Sequence, residues 1–143
     1  MNILETIVDI LLDTTAVTNL VDTYIFKRFL QEKVNGTGKA AIVISERPGE
    51  SPGAHNWWRP RIEVWIYADN TTVDGVVDEQ DRDDRMMAIF EQVDKVLHFS
   101  DYEMRSWGTY RFLRSLRDAE PQFLPDESEE RVLYISYTQT VVI

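Results

Sequence analysis

The segment from Val77 to Leu97 sets the strongest limit on what this chain can fold into. Met86, Ile89, Phe90, Val93, Val96 and Leu97 recur at i, i+3, i+4, i+7, i+10 and i+11, which places them in one stripe of a helix. Most of the remaining positions are polar, so this helix must lie on an apolar surface with its other side in water. Its early turns hold Asp78, Glu79, Asp81, Asp83 and Asp84. Acids there suit the positive end of the helix dipole.

The surface to be covered reads as a sheet. From Trp58 to Ala68, the residues Ile62, Val64, Ile66 and Ala68 alternate with Arg61, Glu63, Trp65 and Tyr67, the two-residue period of a strand. Pro60 restricts the start of this strand to an end or an edge. From Arg131 to Ile143, Val132, Tyr134, Ser136, Thr138, Thr140 and Val142 alternate with Leu133, Ile135, Tyr137, Gln139 and Val141. Ala40 to Ser45 is a short unbroken apolar run, which suits a central strand buried on both faces. Thr23 to Leu30 predicts a further strand, with Tyr24, Phe26 and Arg28 on one face and Ile25, Lys27 and Phe29 on the other. Tyr102 to Asp118 is strand-like, broken near Gly108. With the last strand it predicts a long antiparallel hairpin closing the sheet.

Asn2 to Leu12 reads as a second amphipathic helix through Ile3, Ile7, Ile10 and Leu11, with Asn2 as N-cap and Glu5 completing the cap pattern. Thr14 or Thr15 caps a short helical turn through Val17, Leu20 and Val21. Gln31 to Lys39, Arg47 to Asn56, Asp69 to Asp74 and the Pro-containing Ala119 to Glu130 read as turns or connectors. The predicted fold is one α+β domain over residues 1–143. It has a single mostly antiparallel β-sheet packed by the N-terminal helix and one long amphipathic helix. A chain of 143 residues can build such a core without metal or disulfide staples.

Charge narrows the partners. Twenty-five acidic residues face fifteen basic ones, a formal net charge of -10. This opposes contact with phosphate backbones and anionic membranes, which rely on Lys and Arg. No run of five or six basic residues appears in the sequence. Solubility is the plainer reading of the same charge. Cysteine is absent, which excludes disulfides, thiolate metal sites and Cys nucleophiles and fits a reducing cytoplasm. The N-terminus lacks the basic start of a signal peptide, and no apolar run reaches the roughly 18 residues that span a bilayer.

No motif argues for catalysis, a cofactor or a metal. His55 and His98 have no ligand-spaced neighbours, and His98 at a helix end is explained by the dipole alone. The acids from Asp78 to Asp84 lack the spacing of a calcium loop, and Arg82 and Arg85 lie among them. A solvated helix face accounts for them. Nucleophile elbows and phosphate-binding glycine loops are missing. Interaction residues are easier to nominate. Arg47, Pro48, Gly49 and Glu50 open a Pro- and Gly-rich loop of a kind often engaged with a partner. Trp57 and Trp58 point to opposite faces of a strand, so one can enter the core while the other meets a partner. Tyr24 and Phe26 lie in a segment with aromatic residues on both faces. Packing within the monomer is the competing reading for all of these.

The layout resembles the tail terminator (tail completion, head–tail joining) proteins of bacteriophages. The likeness is carried by the opening helix, the step Asp13-Thr14-Thr15-Ala16-Val17-Thr18-Asn19-Leu20-Val21 and the segment Thr23-Tyr24-Ile25-Phe26. It continues through the apolar strand Ala41-Ile42-Val43-Ile44-Ser45-Glu46-Arg47-Pro48 and the strand Arg61 to Ala68. One amphipathic helix follows, then closing strands ending in a pattern like Arg131-Val132-Leu133-Tyr134-Ile135-Ser136-Tyr137. The Tyr102 to Asp118 segment and the Trp57-Trp58 pair depart from it.

The resemblance implies a structural virion protein of the tail or neck, made in the host cytoplasm. It implies a hexameric ring of identical subunits, without an active site or cofactor, that caps the tail tube. Its partners would be further copies of itself, the major tail tube protein and the head-completion or connector protein. DNA would pass through without specific binding, and no membrane is involved. Arg47 to Asn56 would be the partner-binding loop. Gly36 to Lys39 and Pro48 to Ala54 would be flexible loops that order on docking. Asp78, Glu79, Asp81, Asp83 and Asp84 would form an acidic lumen or rim. Another neck or minor tail protein is the alternative within this class. A monomeric phage-encoded module acting on a host protein is the alternative outside it.

Overall fold

The computed structural model describes residues 3–34, 36–50, 57–69, 71–73, 75–125 and 131–142; the side chains of residues 48–50, 71–73, 76, 77, 101 and 125 are outside that description. The chain opens with helices α1 (Ile3–Asp13) and α2 (Thr15–Val21), followed by strands β1 (Ile25–Lys27), β2 (Ala40–Glu50) and β3 (Trp57–Ala68). A small hairpin, β4 (Thr71–Val73) and β5 (Val76–Asp78), leads into the long helix α3 (Glu79–Leu97). A 3-10 turn at Asp101–Glu103 precedes β6 (Arg105–Trp107), β7 (Tyr110–Arg117), β8 (Gln122–Pro125) and β9 (Arg131–Val142).

Seven strands form one sheet in the order β1-β2-β3-β9-β7-β6, with β8 also paired to β9. The β1–β2 pair is parallel and the other pairs described in this sheet are antiparallel. The α+β class and the mostly antiparallel sheet agree with the sequence reading.

The periodicities explain which face is covered. Ile62, Val64 and Ile66 of β3 and Leu133, Ile135, Tyr137 and Val141 of β9 join Ile42 and Ile44 of β2 in one core. The stripe of α3 (Met86, Ile89, Phe90, Val93, Leu97) and that of α1 (Ile3, Leu4, Ile7, Val8, Leu11) pack onto this same face. β2 is buried on both faces from Ala40 to Ile44, as its unbroken apolar run predicts.

Several expectations need correction. The strand expected over Thr23 to Leu30 shrinks to Ile25–Lys27, because Asp22 and Arg28 adopt positive φ (57° and 71°) and end the extended run on either side. Thr14 stands at the N-cap of α2, but its hydroxyl turns back and donates to the carbonyl of Ile10 (2.8 Å). Asn2 lies outside the described residues. Arg47 to Glu50, expected in a loop, continue β2 beyond a register shift between Arg47 and Glu50; residues 51–56 lie outside the description. The long helix starts at Glu79 rather than Val77, capped by the Asp78 carboxylate, which accepts from the Asp81 amide at 3.1 Å. The expected turn from Asp69 to Asp74 contains a strand of the β4–β5 hairpin, a second small sheet. The Ala119 to Glu130 connector contains β8.

The break at Gly108 is a hairpin turn at φ 60° between β6 and β7. The final strand does not close the sheet at an edge: β9 runs in its interior between β3 and β7. The glycine-containing stretch before β2 is hydrogen-bonded to the chain that follows β3. The buried Asp69 carboxylate accepts the amides of Gly36 (2.9 Å) and Gly38 (2.6 Å), both at positive φ, where a side chain would strain the backbone.

Candidate interaction surfaces

The sheet's second face, turned away from the helices, is finished differently from the first. In its middle, Trp65 and Tyr134 pack at 4.5 Å between ring centroids, and the Trp65 indole N–H donates to the Ser45 hydroxyl (3.3 Å). Glu63 is buried at 5% exposure and pairs with the Arg47 guanidinium. Burial pushes the Tyr134 hydroxyl above its ordinary pKa, and the adjacent Glu63 carboxylate, which it hydrogen-bonds, adds to the shift. Arg47 is therefore tied within the monomer through its charge. Pro48, Gly49 and Glu50 share the strand, with Glu50 opposite Arg59 in the register.

Trp57 and Trp58 divide as alternation requires. Trp58 packs against the core and meets Tyr110 edge-on at 6.2 Å. Trp57 stays 42% exposed on the second face. Tyr24 and Phe26 stack on each other (5.9 Å, 26°) at the β1 edge, both half-buried. The Lys39 ammonium sits 4.5 Å over the Tyr24 ring and donates to its hydroxyl. Phe29 nearby is 64% exposed.

The acids at the start of α3 make different contacts within the chain. Asp78 caps the helix, Asp83 pairs with Arg131 at 3.2 Å, and Asp84 accepts from the Gln80 amide at 3.0 Å. Asp81 is half-buried, while Glu79 and Asp84 are exposed. His98 accepts the Arg117 amide at Nδ1 (3.1 Å), and His55 lies outside the described residues. The Asp94 carboxylate holds both the Tyr137 hydroxyl (2.9 Å) and the Arg117 guanidinium (2.9 Å) beneath α3. Burial, then the Asp94 charge, pushes the Tyr137 hydroxyl far above the ordinary tyrosine range.

One cluster escaped the sequence. Trp57, Arg59, Leu113, Arg114 and Thr140 line a shared groove on the second face. Arg111 joins it through the register, since Trp57 and Arg111 both pair with Val142. Arg59, Arg111 and Arg114 are all exposed. The alternation of β3 could have placed Arg59 beside Trp57. The bulge in β7 between Phe112 and Arg114 hides the rest, because it breaks the period that would assign Arg111 and Arg114 to one face.

No family model matches the chain, and no curated protein matches it. Among solved structures, it is similar to a chain in the virion of a native gene transfer agent (GTA) particle, with a TM-score of 0.61 and 11% identity. The match covers 95% of this chain and 92% of that one, so the two share a fold over nearly their whole length.

Proposed function

We propose that this chain is a structural subunit of a virion, and more narrowly a phage tail terminator. In this reading it forms a hexameric ring at the head-proximal end of the tail tube and joins the tube to the head connector. It is not an enzyme and needs no cofactor. The observation that carries the reading is the fold shared with a virion chain across 95% of this protein. The order of elements that resembles tail terminators in the sequence supports the narrower station. The open sheet face, with its exposed Trp57 and three exposed arginines, supports assembly with other chains.

The test is negative-stain microscopy of the purified protein, alone and mixed with tail tubes from its phage, with mass measured in parallel. Rings, or density capping one tube end, are the expected result. A protein that remains monomeric and leaves the tube ends bare overturns the reading and favours a host-directed binding module.

A further inference from the structure

The open sheet face and the outer side of α1 carry opposite charge clusters. On the open face of the sheet, Arg59 and Arg114 line a groove with the exposed Trp57 and the Leu113 side chain, and Arg111 lies on the same face across Val142 from Trp57. Their neighbour Arg61 is engaged by Asp118 at 3.5 Å, and that carboxylate also accepts the Ser136 and Thr138 hydroxyls (2.6 Å each). On the other side of the molecule, α1 contains no basic residue. Its solvent side carries Glu5, Asp9 and Asp13 at i, i+4 and i+8, all exposed. The buried side of α1 is committed to the core, so the helix lies across the sheet from the arginine groove.

We propose that the arginine–tryptophan groove on the open sheet face docks the acidic outer stripe of α1 from a second copy of this chain. Charge complementarity selects this occupant: three arginines on one face meet three carboxylates on the other, in a protein whose net charge of -10 otherwise repels its own copies. Trp57 and Leu113 supply the apolar centre that such contacts need, because aromatic and arginine side chains dominate interface energies. The two patches sit on opposite sides of one molecule, so the contact is head-to-tail. Such an interface builds a closed ring if the rotation between copies closes, and a filament if it does not. The contact deepens the ring-subunit reading by naming the surfaces that join neighbours.

The experiment uses the full chain and two charge-reversed variants, Arg111→Glu/Arg114→Glu and Asp9→Lys/Asp13→Lys. Sedimentation velocity and tail-tube capping are read at low and high salt. Wild type associates, and raising the salt weakens it, because exposed ion pairs are screened. Each variant alone falls to monomer, since groove and stripe then carry like charge. An equimolar mixture of the two regains the wild-type assembly, because each acidic groove now faces a basic stripe and the reverse. That rescue also shows that both variants are folded. Assembly of either variant at wild-type strength, or a mixture that stays monomeric, overturns the contact. Duplex DNA binding by wild type that Arg111→Glu/Arg114→Glu abolishes, with assembly unchanged, would assign the groove to nucleic acid instead. Wild type that associates and shows the rescue but never caps tubes would refute the terminator station while leaving the contact standing. Capping by the variants alone would do the reverse.

Discussion

The two faces of the central sheet do opposite work. On the helix-covered face, Ile62, Val64, Ile66, Leu133, Ile135 and Tyr137 are essentially inaccessible, and α1 and α3 complete the core. The open face presents the half-buried Trp65–Tyr134 pair, the Arg47–Glu63 ion pair, the Ser136–Asp118–Thr138 ladder and the arginine groove. Burial of apolar surface drives folding in proportion to its area. The first face therefore supplies most of the stability. The second is a mixed aromatic and charged surface, half-wet and matched by polar pairs, which is the character of an interface. Stability and assembly should accordingly separate by face.

The largest stability effect is expected on the covered face. Ile135→Ala should cost about 2–5 kcal/mol, read as a lower urea midpoint with an unchanged slope. A cost under about 1 kcal/mol would mean that the core face is not packed as described.

Next comes the polar anchor under α3. Tyr137→Phe removes the hydroxyl that donates to Asp94 and should cost about 1.5–3 kcal/mol at neutral pH. The folded-state pKa of Tyr137 lies above its unfolded value, so the stabilisation is complete below about pH 10 and is lost as the pH rises past it. Urea titrations of wild type and Tyr137→Phe at pH 8 and 10.5 should therefore converge. A gap that widens with pH would refute the assignment.

On the open face, Arg47→Met strips the charged partner from the buried Glu63 carboxylate, leaving its Tyr134 hydrogen bond, and should cost about 1–3 kcal/mol. The double variant Glu63→Gln/Arg47→Met should recover part of that loss. If the single variant is neutral in urea titration, water serves Glu63 as well as Arg47 does.

The smallest effect on stability is expected where the effect on assembly is largest. Arg111→Glu and Arg114→Glu are surface changes, and each should shift the unfolding free energy by no more than about 0.5 kcal/mol. Paired measurements of urea midpoint and sedimentation on the same preparations check this. A large loss of stability would erase the contrast between the faces.

The same division governs how much was legible in advance. The core face could be read because Ile62, Val64 and Ile66, or Leu133, Ile135 and Tyr137, repeat with a period that belongs to the strand itself. Trp57 and Trp58 separated as alternation requires. The stripe of α3 was equally plain, and its start at Glu79, capped by Asp78, lies two residues beyond the expected Val77. Tyr24 and Phe26 were readable as candidates, but not their stacking beside Lys39. The Arg47 to Asn56 loop was misjudged at its first four residues, because β3 pairs with β2 as far as Glu50 and overrides the Pro and Gly signals. The Gly36 to Lys39 loop looked free because its anchor, Asp69, lies more than thirty residues away.

The α+β class, the amphipathic helices and the inward side of β3 and β9 are legible in the chain's residue order. Those properties depend on residues within a few positions of one another. That β9 runs in the sheet's interior, that Arg47 serves Glu63, and that Arg59, Arg111 and Arg114 share a face with Trp57 follows from the assembled sheet. These depend on strand order and register, which join residues far apart in the chain. A single bulge in β7 is enough to change which side chains share a face.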